Sequence, residues 1–382
     1  MPEPFSYAPG CTVLADGSVV FVYDDASASS VLVAGEFTGW AKSPLTLRRL
    51  EGRLEGSSLW TAQSEYLPKG TYHYKFVVDG RWIADPANRL AVDDGLGGRN
   101  SAFVTGRRDL GDSRAVRVLS LNLHTYQEKN ERGQNDALAK LEKVAFGVAV
   151  GEIDVLLLQE VGEHVQDPAR PNAGWVLQQH LERFTGKPWF HEWREAHIGF
   201  DVYREGLSIL ACRPLEDVTM FQLSDAPLAR IALFANVETK GAKIRVGTTH
   251  VGWGSEGGEH VKKLLSLLKE KRASDCSATL VVGDFNADAD EPQVALMVDA
   301  GYSDVGVMRK ATFLTFGDGN GDKPRGLDRR IDYHFLRATA GRGAPRVDAF
   351  LRVFDGQGLD DGLSPRVSDH AGIVAAYSWD SR

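Results

Sequence analysis

The chain has 382 residues, 43% of them hydrophobic and 25% charged, which describes an ordinary globular protein long enough for two domains. Its net charge is -8, with 10 Lys+Arg against 12 Asp+Glu over residues 1–107 and 34 against 40 beyond, so neither part has the basic excess that sequence-independent nucleic-acid binding requires. No apolar run is long enough to span a membrane, and the opening MPEPFSYAPG lacks the basic and apolar regions of a secretion signal. Three scattered cysteines, Cys11, Cys212 and Cys276, suggest neither a disulfide framework nor a zinc site, so a cytoplasmic setting is expected.

From Ser18 to Thr105 the runs SVVFVYD, SSVLVAGEF, SLWTAQSEYL, GTYHYKFVVDG, RWIADP and SAFVTG are short, alternating and separated by Gly, Asp and Pro, which predicts seven or so strands. Asp79-Gly80 between two of them is a hairpin signal, and the whole reads as a small, immunoglobulin-like all-β sandwich over residues 1–106. Trp40 and Trp82 either lie in its core, the usual place for an isolated tryptophan in a β-domain, or offer flat faces to sugar rings, with Lys75 and Asn100 bonding hydroxyls. The segments GEFTGW, LPKGTYHYKFVVDGRWIADP and LGGRN resemble the glycogen-binding carbohydrate module of AMP-activated kinase β-subunits and glucan phosphatases, over about residues 15–105. That resemblance implies α-glucan contacts at Trp40, Lys75, Trp82 and Asn100, with Leu96 inserted beside the sugar. Some members of that family only pack against an enzyme domain. Residues 107–114, polar and without apolar periodicity, are the expected linker.

Beyond it, over residues 115–382, buried strands alternate with helical patterns. VRVLSLNLH (Val116–His124) is a continuous apolar strand ending at Asn122 and His124, and Leu138, Leu141, Val144 and Ala145 mark a helix through Ala137–Val150. IDVLLLQEV (Ile153–Val161) is a strand ending at Gln159 and Glu160; a helix around Trp175–Phe184 follows. Glu205–Pro214, Ala229–Thr239 and Lys243–Trp253 read as strands, the last placing His250 at its end. An amphipathic helix over Glu259–Arg272 leads into LVVGDFNAD, a short buried strand that turns at Gly283. On an extended backbone Asp284 and Asn286 point one way and Phe285 the other. RRIDYHFL and VSDHAGIVAAYSW close the chain, carrying Asp332, Asp369 and His370.

This order predicts an α/β domain with mixed sheets and one ligand crevice at the strand ends. The crevice would collect Asn122, Glu160, His250, Asp284, Asn286, Asp332, Asp369 and His370. No nucleophile elbow, Walker loop or dinucleotide fingerprint is present, and what remains is carboxylates, carboxamides and two histidines. That inventory suits a hard cation such as Mg²⁺ or Mn²⁺ and an oxyanion substrate. Each member alone has a plain structural explanation: Glu160 capping a strand, Asp332 pairing with Arg330, His191 or His197 merely at the surface or in the core.

Taken together, NLH, LLQEV, EGLSIL, TTHVGW, VVGDFNAD, RIDYHF and SDH resemble, in order, the motifs of the endonuclease/exonuclease/phosphatase superfamily, which includes deoxyribonuclease I, neutral sphingomyelinases, inositol-polyphosphate 5-phosphatases and apurinic endonucleases. The resemblance implies a four-layer sandwich, two β-sheets face to face with helices outside, and metal-dependent phosphoester hydrolysis by water without a covalent intermediate. It places Asn122, Glu160 and Asp369 at the metal, with Glu160 the principal ligand, and Mg²⁺, Mn²⁺ or Ca²⁺ as the ion. His250 falls on the phosphate side, Asp284 and Asn286 at the water and phosphoryl group, and His370 is the catalytic histidine oriented by Asp332. Asp284 and His370 both remain candidates for the base. Leu121 and His124 replace the Trp and acid of repair enzymes. The expected function is a phosphodiesterase or phosphatase targeted to α-glucan. The rival is a nuclease with a packing module, which the acidic balance disfavours. A decayed, purely sugar-binding protein is a third option.

Overall fold

The computed structural model describes residues 8–50, 58–126, 136–199, 201–225, 227–239, 241–271, 273–306, 311–313, 327–357 and 360–379. Two compact units divide it: Met1–Arg108 with the short segments Arg183–Gly186 and Gly358–Gly362, and the remainder.

The first unit is all-β. One sheet runs Gly10–Val13, Val19–Asp24, Leu59–Gln63, Arg48–Arg49; the other runs Leu45–Thr46, Val31–Gly35, Gly70–Val78, Arg99–Thr105, Ala91–Asp93, with Arg81–Ile83 added against Gly70–Val78. Inward residues of both, among them Val19, Phe21, Val33, Tyr74, Phe76 and Phe103, form one buried cluster. The hairpin signal is realised: Val78 pairs with Arg81, and Asp79 and Gly80 both take the positive φ that a two-residue primed turn requires.

The second unit is the four-layer sandwich. One six-stranded sheet has the order Phe190–Gly199, Tyr203–Ala211, Val155–His164, Val116–Asn122, Gly372–Ser378, Arg346–Val353; the other runs Leu215–Gln222, Ile231–Glu238, Lys243–His250, Ala278–Asp284, Asp332–Ala338, Ser303–Asp304. Val116, Val118, Leu157, Ile209, Val246, Leu280, Val282 and Tyr377 meet between the sheets. The opposite face of the second sheet, through Val281, Phe285, Tyr333 and Phe335, packs on Val261 and Leu264 of the helix Gly254–Glu270 and on Val294 and Met297 of the helix Pro292–Asp299. The helix Ala173–Thr185 packs on the first sheet, where Gly174 stands so close to His191 and Ser208 that a Cβ there has no room; the helix Ala137–Val150 lies in the chain between the strands Val116–Asn122 and Val155–His164.

The period-2 rule carries polar side chains into this interior. Val118, Ser120 and Asn122 share one face of their strand, as do Val246, Thr248 and His250, and Leu280, Val282 and Asp284. Each strand is apolar at the middle of the sandwich and polar at one end, so the end of the inter-sheet layer becomes a polar hollow.

Candidate active site

Register brings three of the expected residues side by side: His250 pairs with Asp284 on one neighbouring strand, and Asp284 pairs with Asp332 on the next. Asn122 arrives from the facing sheet, donating from Nδ2 to Glu160 Oε1 at 2.8 Å and to Asp284 Oδ2 at 3.2 Å. Gly283 has φ 137° and lies so close to the Thr249 carbonyl that no side chain fits, which is why the GDFN turn opens with glycine.

Glu160 departs from the expectation of a strand end. Its strand continues to His164, and Glu160 sits at a β-bulge between Leu158 and Val161, with φ 48°. Strict alternation would send Glu160 to the face opposite Gln159. The bulge turns it back, so that Gln159 bonds Thr248 Oγ1 at 2.8 Å while Glu160 still reaches Asn122. Asn286 also differs from the extended picture: it has φ 48°, its N–H bonds Asp284 Oδ1 at 2.8 Å, and its amide nitrogen donates to the Val251 carbonyl at 2.9 Å. His124, with φ 44°, donates its backbone N–H to Asn122 Oδ1 at 3.1 Å. Non-glycine residues at positive φ concentrate strain where function demands a fixed direction.

His370 Nδ1 lies 2.9 Å from Asp332 Oδ2, and its Nε2 lies 3.7 Å from Asp284 Oδ2. Asp332 does not pair with Arg330, whose guanidinium is taken by Asp304 at 2.6 and 2.8 Å. The Asn286 amide nitrogen, oriented by Val251, also lies 3.0 Å from His250 Nε2, so that ring nitrogen is the acceptor and Nδ1 carries the proton, facing Glu160 Oε1 at 3.9 Å. Burial holds His250 well below its ordinary pKa, with the Arg230, His370, His197 and His124 charges acting the same way. His370 moves the other way: burial disfavours its charge, but the adjacent Asp332 carboxylate, then Asp284 and Asp369, outweigh it and raise its pKa. Burial raises Asp284, aided by the Asp332 and Glu160 charges and opposed by His370.

Ligand-capable atoms of Glu160, His250 and Asp284 lie within 4.8 Å of one another, and so do those of Asp284, Asp332 and His370. Buried carboxylates this close repel unless a cation or a proton lies between them, and hard oxygens are the donors Mg²⁺ and Mn²⁺ prefer, so the residues fit a divalent ion. Asp369 belongs to neither group; its Oδ1 accepts from Ser368 Oγ at 3.1 Å and faces His124 Nδ1 at 3.2 Å, and these partners outweigh burial to hold its pKa down at about 2.

Sequence reading passed over the pair His197–Glu205, 3.4 Å apart and buried, whose histidine lies in electrostatic reach of Glu160. The sequence offered His197 only as a surface or core histidine and Glu205 only as the opening of the EGLSIL motif. In the first unit, Trp82 is 46% exposed and Leu96 92% exposed; Trp40 is half-buried, with its ring centroid 6.4 Å from that of Trp82. The tryptophans are therefore not core residues. Lys75 Nζ is held by Asp94 Oδ2 at 2.6 Å, and Asn100 is half-buried on the strand Arg99–Thr105.

Carboxylates, amides and histidines thus gather in one hollow between two facing sheets. Residues 119–370 match the endonuclease/exonuclease/phosphatase family, and the chain belongs to it; it is a phosphoester hydrolase of that family, whose enzymes use divalent metals. Residues 18–105 match the glycogen recognition site of AMP-activated protein kinase. Among solved structures, an endonuclease/exonuclease/phosphatase family protein from Leptotrichia buccalis aligns with TM-score 0.56 and 22% identity over 69% of this chain and 100% of its own. A Beutenbergia cavernae endonuclease/exonuclease/phosphatase gives 0.51 and 20% over 70% and 72%. The human Nocturnin catalytic domain with bound sulfate gives 0.51 and 18% over 72% and 97%. At such identities these share the fold. No curated protein matches by sequence. Among the described residues no helix is long and apolar enough to cross a membrane.

Proposed function

We propose that the protein hydrolyses phosphoesters with Mg²⁺ or Mn²⁺, Ca²⁺ being a third candidate, and that its N-terminal module holds it on glycogen-like α-glucan. The observation that carries the reading is the convergence of Glu160, Asp284 and Asn122 with two histidines of opposite electrostatic bias, one neutral and one charged. Glu160, with the Asn122 amide, would hold the ion, which when bound polarises a phosphoryl oxygen and offsets charge on the leaving oxygen. Asn286 commits its amide hydrogens to the Val251 carbonyl and to His250 Nε2, which fixes that imidazole with its Nδ1–H toward Glu160. His370, kept charged by Asp332, binds a phosphoryl oxygen. The Asp284 carboxylate, made more basic by burial, takes a proton from the attacking water. The water oxygen forms the new P–O bond, the bond to the leaving oxygen breaks, and that oxygen collects a proton from solvent.

Tethering by the module raises the effective concentration of glucan-borne esters around the site. Phosphodiester cleavage and phosphate release from a phosphorylated glucan both fit. Rates on bis-p-nitrophenyl phosphate and on phosphomonoesters, with chelator and after return of Mg²⁺, Mn²⁺ or Ca²⁺, test the proposal. Hydrolysis indifferent to chelator removes the metal from it, and efficient digestion of plasmid or single-stranded DNA replaces it with a nuclease.

A further inference from the structure

Three residues beyond His250, the chain places a tryptophan at the rim of the hollow. Trp253 is the N-cap residue of the helix Gly254–Glu270, and its segment is tied to the site through the Val251 carbonyl, which accepts the Asn286 amide. Trp253 is 47% exposed even though the Arg329 guanidinium lies over its ring, 4.9 Å from the centroid. Arg329 is itself held: Nη2 bonds Asp288 Oδ2 at 2.5 Å and Glu291 Oε2 at 3.3 Å, and Nε bonds Asp288 Oδ2 at 3.0 Å. The indole is thus contacted by a fixed cation while nearly half of the residue stays open to solvent. The backbone of Arg329 pairs with Phe313, which also bridges to His370 and sets its ring 4.7 Å from that imidazole. The platform is therefore connected to both histidines of the centre.

We propose that Trp253 and Arg329 form a subsite for a sugar ring beside the phosphoryl centre, and that the substrate is a phosphorylated saccharide. The inference rests on the reading of the centre as a phosphoester hydrolase. A flat apolar face flanked by a guanidinium and carboxylates matches a pyranose, which offers an apolar face of C–H groups and a rim of hydroxyls. Arg329 is already engaged by Asp288 and Glu291, so it is not free to take a second phosphate, which disfavours a polyanion leading away from the centre. A neutral sugar chain carrying one phosphate meets both conditions.

The test is steady-state hydrolysis by the full-length chain, in Mg²⁺ or Mn²⁺, of a phosphorylated maltooligosaccharide and of ethyl phosphate, which carries no ring. In Trp253→Ala the ratio of kcat/KM for the sugar ester to that for ethyl phosphate falls about tenfold, the loss lies in the KM of the sugar ester, and Trp253→Phe recovers most of it. Neutral maltotriose inhibits ethyl phosphate hydrolysis competitively in the wild type, a measurement that needs no variant. An unchanged ratio, absence of that inhibition, or a larger loss on a dinucleotide substrate than on the sugar ester overturns the subsite. A wild type that cleaves ethyl phosphate but no sugar ester also overturns it and leaves the hydrolytic reading standing. A wild type that cleaves neither with either metal brings down the hydrolytic reading and the subsite with it.

Discussion

The two candidate ligand sites of this chain are built on opposite principles. The module presents Trp82 and Leu96 to water and keeps its polar partners, Lys75 and Asp94, paired with each other. The hydrolytic site buries almost everything it uses: Asn122, His250, Asp284, Asn286, Asp332 and His370 are all less than a tenth exposed. A neutral ligand is gained by covering apolar surface, so its site costs the free protein little. A phosphoryl centre needs fixed charges in a low-dielectric hollow, where each unpaired group is expensive and each paired one acts strongly. The bulge at Glu160 and the positive φ values at Glu160, Asn286 and His124 belong to the second kind of site.

This contrast sets the size of what substitution does. Glu160→Gln or Asp284→Asn should lower kcat by roughly 10²–10⁴-fold while the thermal transition holds or rises, because each removes charge from a crowded buried cluster. Metal-supported turnover and a melting curve on the same sample check both halves. A variant that loses activity only by unfolding would place these carboxylates among the structural residues. Asp332→Asn is expected to cost about 10²-fold: it keeps the shape but withdraws the charge that orients His370 and keeps it protonated. Phosphate-release assays against pH measure it, and an unchanged profile would remove Asp332 from the mechanism. On the module, Trp82→Ala should weaken binding of a maltooligosaccharide by roughly 30-fold, the scale of an exposed aromatic anchor. Calorimetric titration reads this directly, and unaltered affinity would leave the module as a packing domain.

How much of this was legible beforehand follows the same division. The strands of the second unit could be read because their inward residues are apolar nearly throughout, and Asn122, His250 and Asp284 could be placed because they follow in phase with those residues. Glu160 could be named but not located, since a bulge is a change of phase that no local pattern announces. The strands Phe190–Gly199, Leu215–Gln222 and Arg346–Val353 were missed because, away from the sheet centres, their residues are mostly half-buried or exposed and their alternation is weak. The helix Gly254–Glu270 begins five residues before its expected start; its first turn carries two more glycines, Gly257 and Gly258, and is set by the approach of Gly257 to the Gly252 carbonyl, a contact that propensity cannot foresee. Trp253 appeared only as the end of a motif, because whether an indole is covered depends on Arg329, far away in sequence.

The comparison also extends to acid. His334 is fully buried between the two sheets, its Nδ1 3.1 Å from the Tyr377 hydroxyl, and burial brings its pKa down from 6.5 to about 3. Between those values the unfolded chain binds a proton that the folded chain refuses. The stabilisation is therefore complete above pH 6.5 and declines as pH falls through the window. In the module, the Lys75–Asp94 pair holds the Asp94 pKa at about 2, so its contribution is lost only below the ordinary carboxylate range near 3.8. Taking the protein from pH 7.0 to 5.5 should cost ~1 kcal/mol through His334 alone and nothing through Asp94. Urea unfolding of wild type and of His334→Phe at both pH values isolates the effect: the variant keeps the ring volume, gives up the Tyr377 bond at either pH, and has no proton to refuse. If wild type and variant lose the same stability on acidification, the buried imidazole is not the group that senses pH in the inter-sheet layer.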